Sequence, residues 1–417
     1  MNAYFKFAAP LIATLAIAAC SAGSTPTTPA PAGFSQGAGA ALRAVPEWQA
    51  KHEARAACPQ VVGKPTCLVL QKLSHGMPPP PCSPSSGCGW TATQLEQAYN
   101  LTGSLGNGSG TKVAVIEAGD LSAASTDLAT YRKQYGLGTA SFFKYNESGQ
   151  QGSYPPTCEN YGWCLETDLD IDMVSASCPK CTIFLMEAKG GISDFEAAEA
   201  EAVKLGATIL SNSWICYGNP DCSDSNFAKY FDTPGIAYLA SSGDSGYNNI
   251  GAPSVLASVI AVGGTQLALS GSKYSETIWN SAGSGCETAI AKPSWQTDKG
   301  CSGRTDADVS AESGCSPAVA EYISIYGGWT SVCGTSVASP LLAGVIALAG
   351  DPSDFGANGG EHFWKLKKKV LKKDIHYISS GNNGSCGGSY LCTAGTKQFK
   401  TYSGPGGWGT PNGIGAF

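Results

Sequence analysis

Short runs of consecutive apolar residues, separated by stretches with helical spacing, dominate the middle of the chain. Lys112-Val113-Ala114-Val115-Ile116-Glu117 has a continuous apolar centre, as expected of a strand buried on both faces. Similar runs stand at 182–187, 207–211, 236–240 and 258–262. Between and before them, residues 127–135, 165–176 and 194–204 place apolar side chains at helical intervals. Strands alternating with helices predict an α/β fold, a doubly wound and mostly parallel sheet with helices on both faces. Sites in such sheets gather at the carboxyl ends of the strands. No internal repeat is visible, and residues 88–417 form one expected domain.

The N-terminal part has a different pattern. Lys6 precedes a nearly all-apolar stretch over 8–19, ending Ile17-Ala18-Ala19-Cys20. Residues 1–20 therefore read as an export signal. The small-residue pair before Cys20 resembles a bacterial lipobox, in which the thiol is lipidated; an ordinary cleaved signal with a cysteine nearby is the other reading. The Ser/Thr/Pro/Ala-rich stretch 21–32 suits a tether and favours the anchor. The expected location is thus outside the cytoplasm, either as a lipoprotein at the cell envelope or secreted. Residues 21–87, including Met77-Pro78-Pro79-Pro80-Pro81, are expected to be a poorly ordered tether and short pro or linker segment. No later apolar run reaches the ~20 residues that span a bilayer.

Charge and cysteines narrow the class. With 26 Lys+Arg against 32 Asp+Glu, the chain has no basic footprint for nucleic acid. Setting Cys20 aside, 16 of the 17 cysteines remain, in neighbouring couples: 58/67, 82/88, 158/164, 178/181, 216/222, 286/301, 315/333 and 386/392. An exported chain can keep such couples oxidised, and short loops favour sequential pairing. Cys178-Pro179-Lys180-Cys181 also fits a redox motif or half a zinc site. It has no second such pair and no close histidine pair beside it, so a structural disulfide is expected. A lysine-rich run over 365–373 carries Leu366, Val370 and Leu371. It fits an anionic membrane surface, but a solvated face of a packed helix is preferred.

Gly334-Thr335-Ser336-Val337-Ala338-Ser339-Pro340 leads into an all-apolar stretch, 341–349, predicting a buried helix. A serine in its first turn sits at the positive end of the helix dipole, where an alkoxide or oxyanion is favoured. A plain helix-capping serine is the simpler reading. A nucleophilic serine needs a base within reach. The histidines are His52, His75, His362 and His376, none of them between residues 76 and 361, so a histidine-based triad is not expected.

Carboxylates offer the replacement. Glu166 and Asp170, four residues apart, share one helix face. Two carboxylates this close relieve their repulsion by sharing a proton, and so could accept one from a serine. An exposed acidic helix turn is the competing reading. Asp244, in Ser241-Ser242-Gly243-Asp244-Ser245-Gly246, follows an apolar strand. When protonated it could donate to an oxyanion; otherwise it is a turn aspartate.

Glu166-x-x-x-Asp170, Ser-Gly-Asp244-Ser-Gly and Gly-Thr-Ser336, in this order, resemble the sedolisin family of serine-carboxyl peptidases, within the subtilisin-like superfamily. The likeness runs from about Cys88 to Gly413. It implies a subtilisin-like fold and an acid-active serine endopeptidase. Ser336 would be the nucleophile, Glu166 the general base and then acid, Asp170 its partner and Asp244 the oxyanion donor. Glu117 stands where the hydrogen-bond chain would extend. Ser211, Ser213, Trp214 and Gly334 would line the substrate site. The resemblance further implies a monomer acting on proteins or peptides, with no cofactor for the chemistry. The family's calcium site is not expected, because Tyr377 and Ser403 occupy the two aspartate positions and Asp374 fits only by a shifted register. The stretch 21–87 is short for the family's folded prosegment, and Cys333 stands where a glycine is frequent. The alternative function is a surface lipoprotein that uses an inactive peptidase-like fold for binding.

Overall fold

The computed structural model describes residues 46–74, 82, 87–217, 222, 225–355, 358–395 and 402–417. The expected export signal with Cys20, the tether over 21–32, His75 and the prolines 78–81 lie outside these residues.

The first long apolar run becomes β1 (Lys112–Ala118), the centre of an eight-stranded sheet. Its partners are β2 (Ser141–Asn146), β3 (Thr182–Ala188), β4 (Ile209–Asn212), β5 (Ala237–Ser241), β6 (Val259–Ser270), β7 (Lys273–Ile278) and β8 (Val309–Glu312). The strand order is β7-β6-β5-β4-β1-β3-β2, with β8 also paired to β6. All pairs are parallel except the β6–β7 hairpin. Chain direction across the sheet reverses at β1, which lies between β3 and β4. A crevice therefore opens at the carboxyl ends of β1 and β4, the usual place for a site in an open α/β sheet.

Four helices matter to that crevice: α1 (Ala124–Tyr135), α2 (Cys164–Ser177), α3 (Ile192–Lys204) and α4 (Thr335–Ala349). The four sequence-predicted helices, including the one after Ser336, and the five strand runs are all present; the helices are a few residues longer than predicted, while of the strands only β6 extends well beyond its run. The edge strand β2 escaped the reading because its apolar residues alternate with exposed ones. Helices α2 and α4 pack on each other and on the sheet. They approach closely because Gly344 has no side chain: a Cβ there would meet Ser177 Oγ at 2.0 Å. This contact holds the serine end of α4 beside the carboxylate face of α2.

All eight cysteine couples are disulfides, paired as the spacing suggested. Cys178 and Cys181 are one of them, which removes the redox and zinc readings for that pair in this oxidised state. The lysine-rich run forms two short helices, Glu361–Lys365 and Lys368–Asp374, broken at Leu366, which packs on the core. Its lysines are exposed, as the solvated-face reading requires. Among the described residues no helix is long and apolar enough to cross a membrane.

One expectation needs correction. Residues 21–87 are not uniformly a tether: 46–74 are ordered against the sheet domain. Strand Leu70–Lys72 pairs with Ala54–Ala56 and with Gly328–Cys333, and strand Pro65–Cys67 pairs with Trp214–Cys216. The physical reason is the apolar triplet Leu68-Val69-Leu70, which is fully buried, together with the disulfide from Cys58 to Cys67. Three apolar residues in a polar, proline-flanked stretch were too short a run to predict this.

Candidate active site

Every residue of α2 is buried, including Glu166 and Asp170. The disulfide Cys158–Cys164 fixes its first turn. Glu166 Oε2 accepts hydrogen bonds from the backbone N–H groups of Leu68 and Val69, at 2.8 and 2.7 Å. The Ser336 hydroxyl also stabilises the Glu166 carboxylate, but burial and the negative charge of Asp170 outweigh all three donors. The carboxyl is therefore held well above its ordinary pKa. Ser336 Oγ makes a second, long contact of 3.4 Å to the Ser213 carbonyl oxygen.

Asp170 lies between two other acids. Its Oδ1 accepts from Ser213 Oγ at 2.8 Å. Burial pushes it up to about 8, against the lowering effect of that hydroxyl and of hydrogen bonds from Glu117 and Glu166. Glu117, at the end of β1, is raised well above its usual range by burial and then by the charge of Asp170. Glu117, Asp170 and Glu166 thus form a row of acids that holds protons at pH values where exposed carboxyls have lost theirs. The row continues towards Glu187 on β3, which burial lifts to about 8 although Lys144 lies 3.4 Å away.

Asp244 follows β5. Its Oδ1 accepts from both the backbone N–H and the hydroxyl of Thr335, each at 2.8 Å, while Oδ2 has no hydrogen-bond partner. Burial raises this carboxyl to about 7. Because two donors occupy Oδ1, a proton bound below that pH belongs on Oδ2, where it can be donated. Gly334, at φ +122°, faces the same atom: a Cβ there would lie 2.6 Å from Asp244 Oδ2 and 2.3 Å from the Leu68 carbonyl oxygen. Gly334→Ala should therefore disturb the site twice, through strain at positive φ and through collision. We expect at least a tenfold loss of kcat, with a lowered Tm measurable by calorimetry.

Of the other predicted residues, Ser213 is the most central. Its hydroxyl bonds Asp170, and its carbonyl accepts from Ser336 Oγ and from the Leu68 N–H at 3.1 Å. Ser211 instead meets Ser339 of α4 at 2.9 Å and ties the sheet to the serine helix. The Trp214 indole packs among Phe195, Phe227 and Phe231 and donates to Asn212 Oδ1 at 2.8 Å, so only its backbone meets the strand Pro65–Cys67. Sequence reasoning missed Leu68, Val69 and the Thr335 hydroxyl. The neighbouring Cys67 was the only local signal for the first two.

The described histidines lie elsewhere. His362 is 3.1 Å from the Ala416 carbonyl oxygen, His376 pairs with Thr410 in a short ladder, and His52 sits on an exposed turn. Residues at the implied calcium site do not fit a hard dication. Tyr377 and Ser403 supply no carboxylate, and Asp374 is closely covered by Gly415 and paired with Lys373. Among the described residues no group of three or more His, Cys, Asp or Glu side chains is placed to hold a metal.

Residues 162–357, which contain Glu166, Asp170, Asp244 and Ser336, match the family described as Subtilase family. The chain is 29% identical to kumamolisin of Bacillus sp. (strain MN-32) over 293 residues, covering 62% of this chain and 51% of that protein. It is 24% identical to sedolisin of Pseudomonas sp. (strain 101) over 362 residues, covering 77% of this chain and 60% of that protein. It thus spans about half to three fifths of these relatives' length. A solved structure of Pseudomonas sedolisin, a serine-carboxyl proteinase complexed with two molecules of pseudo-iodotyrostatin, superposes with TM-score 0.67 and 26% identity. That match covers 78% of this chain and 96% of the other.

Proposed function

Because the chain belongs to the subtilase family, as a homologue of sedolisin and kumamolisin among the serine-carboxyl peptidases, we propose that it is an exported endopeptidase, most active in acid, which cleaves peptide bonds through an acyl-enzyme on Ser336. The observation that carries this reading is the placement of Ser336 beside the Glu166 carboxyl, with Asp170 and Glu117 behind it. In the form of the coupled row that carries a single negative charge, Glu166 takes the serine proton during attack and returns it to the departing amine. Asp170 and Glu117 share the acquired proton and keep the Glu166 carboxyl oriented. Asp244, protonated below about 7, donates to the oxygen of the tetrahedral intermediate. No metal is needed for these steps. Eight disulfides suit an oxidising compartment, and a lipid at Cys20 would keep the enzyme on the membrane surface.

The test is hydrolysis of an unfolded protein between pH 3 and 8 by wild type and Ser336→Ala. Acid-favoured cleavage that disappears in the variant is expected. Activity that survives the substitution, or rises steadily toward pH 8, would sink the proposal. Asp244 gives a finer check. In Asp244→Asn an amide N–H replaces the acid proton at every pH, so the neutral limb of the profile should extend upward. Asp244→Ala should lose roughly a hundredfold or more in kcat.

A further inference from the structure

The rear face of α2 carries carboxyls that the chemistry at Ser336 does not use, and they lie under the hairpin that leads to that serine. Strands Val319–Ile323 and Gly328–Cys333 pair antiparallel, and the first of them is the edge of a four-stranded sheet completed by Leu70–Lys72 and Ala54–Ala56. The disulfide Cys315–Cys333 ties the base of the hairpin, while Ile325 and Tyr326 at its tip are exposed. Val332 and Cys333 pair with Gln71 and Leu70 beside the crevice, and Gly334-Thr335-Ser336 follows at once. Contacts to α1 and α2 hold the tip down. Asp127 Oδ2 accepts from the Ser324 N–H and hydroxyl at 3.0 and 2.9 Å. Asp172 Oδ2 accepts from the Tyr322 N–H at 3.4 Å, and the Trp329 ring packs on Tyr131 and Tyr135.

Between these contacts lies a closed space lined by acids. Glu321 of the hairpin is fully buried in it, and neither of its carboxyl oxygens has a hydrogen-bond partner. It faces Asp168 and Asp172 of α2, Asp127 and the buried, unpartnered Tyr131 hydroxyl of α1, and beyond them Tyr135 and Glu96 of the helix Ala92–Ala98. The cation beside them, Arg132, directs its N–H groups to the carbonyl oxygens of Leu137, Gly138 and Pro179 and to Ser175 Oγ, and acts on Asp172 only from a distance. We propose that neutral Asp168 and Glu321 are positioning residues: they seat the hairpin 319–333 on α2, keep the crevice wall at Val332–Cys333 in place, and release it when they ionise. Uncharged, the two carboxyls can share a proton across the space; ionised, each leaves a charge that no cation offsets in a site closed to water. Burial first, and then the neighbouring acids, hold both groups well above the usual carboxyl range. With folded-state values raised, the seat is complete in acid and is lost as pH rises. Glu321 also feels the charges of Glu166 and Asp170, so ionisation of the catalytic row and of the seat oppose each other across α2. The edge strand yields before the central sheet because it has one neighbour and a free tip.

The test is amide hydrogen exchange read by mass spectrometry on the full chain carrying Ser336→Ala, so that it does not digest itself, with and without Asp168→Asn and Glu321→Gln. Rates are taken at pH 4, 6 and 8 and corrected for the intrinsic pH dependence of exchange. In the parent, protection over 319–332 should fall about tenfold or more from pH 4 to 8 while β1 and β3 keep theirs; the two near-isosteric substitutions should abolish that fall. Equal protection at every pH, or a fall that the substitutions do not prevent, overturns the proposal. A loss shared by β1 and β3 also overturns it, because the whole fold and not the hairpin would then yield. A kinetic arm, which alone rests on the peptidase reading above, uses a peptide substrate and the chain with Ser336 intact. KM should rise about tenfold between pH 4 and 7 in wild type and much less in the double variant, while kcat falls alike in both because Asp244 is untouched. A KM that moves equally in both overturns the link from hairpin to crevice. No turnover by either chain at any pH overturns the peptidase reading, and the exchange result still decides whether the seat exists.

Discussion

Glu166→Gln is expected to abolish most turnover, with kcat falling roughly a thousandfold, the usual worth of a positioned general base. The substitution is close to isosteric, and the glutamine carbonyl can still accept from the Leu68 and Val69 N–H groups that Glu166 holds. Folding should therefore survive, and the loss would be one of chemistry. Because a base acts on the transition state, kcat and kcat/KM should fall together with KM little changed. Replacing a buried carboxyl whose ionisation is opposed by burial and by Asp170 should also raise Tm at neutral pH, because the unfolded glutamate is ionised there. An active-site acid that is catalytic but electrostatically strained predicts this combination, lower kcat with higher Tm. A capping or purely structural carboxylate would give the reverse. Steady-state kinetics on a peptide substrate and calorimetry of the same preparations decide between them, and a loss of less than tenfold would remove Glu166 from the base role.

Much of this was legible in the sequence because it is local. A buried parallel strand announces itself as a continuous apolar run, so β1 and β3 to β6 could be read directly. Glu166 and Asp170 share a helix face by spacing alone, and the short-loop cysteine couples allowed little else. What brings Asp244 onto Thr335, or Glu117 onto Asp170, is tertiary. These contacts follow from strand order and from the close approach of α2 and α4 at Gly344, which no single segment encodes. Residues 46–74 were misjudged for the same reason. Their strands exist only because the crevice strand Trp214–Cys216 and the strand Gly328–Cys333 offer them edges. Trp214 shows the opposite error: the motif drew attention to a side chain that packs in the core, whereas its backbone meets the segment in the crevice.

The second large effect concerns stability against pH, and it runs opposite to ordinary acid denaturation. Most proteins lose stability in acid because their carboxylates are ionised and paired when folded. Here burial raises Asp170 and Glu187 to about 8 and Asp244 and Asp306 to about 7. A second group on the rear of α2 behaves alike. Asp168 is raised by burial and by Glu321, and Asp172 by burial and by Asp168; Glu321 is raised by burial and then by Asp172. In the unfolded chain all of these titrate near 4. Between about pH 4 and 8 the folded state thus binds more protons than the unfolded one, so stability is greatest below pH 4 and declines as pH rises through that window. A rise from 3.8 to about 7, as for Asp244, corresponds to on the order of 4 kcal/mol once the group is ionised in both states. Several such groups together should lower Tm by more than roughly 10 °C between pH 4 and pH 8. Calorimetry across that range, with disulfides intact, should show Tm falling steadily. The double variant Asp168→Asn, Glu321→Gln leaves the crevice acids in place and should flatten the slope while raising Tm at pH 8. A Tm that instead increases from pH 4 to 8 would mean these acids are ionised in the folded protein, and with them the proton store behind Ser336 would be lost. On the mechanism proposed above, the same buried protons would connect stability in acid with chemistry in acid: raising the pH ionises the row from Glu117 to Glu166, and the fold weakens as Asp244 loses the proton it would donate.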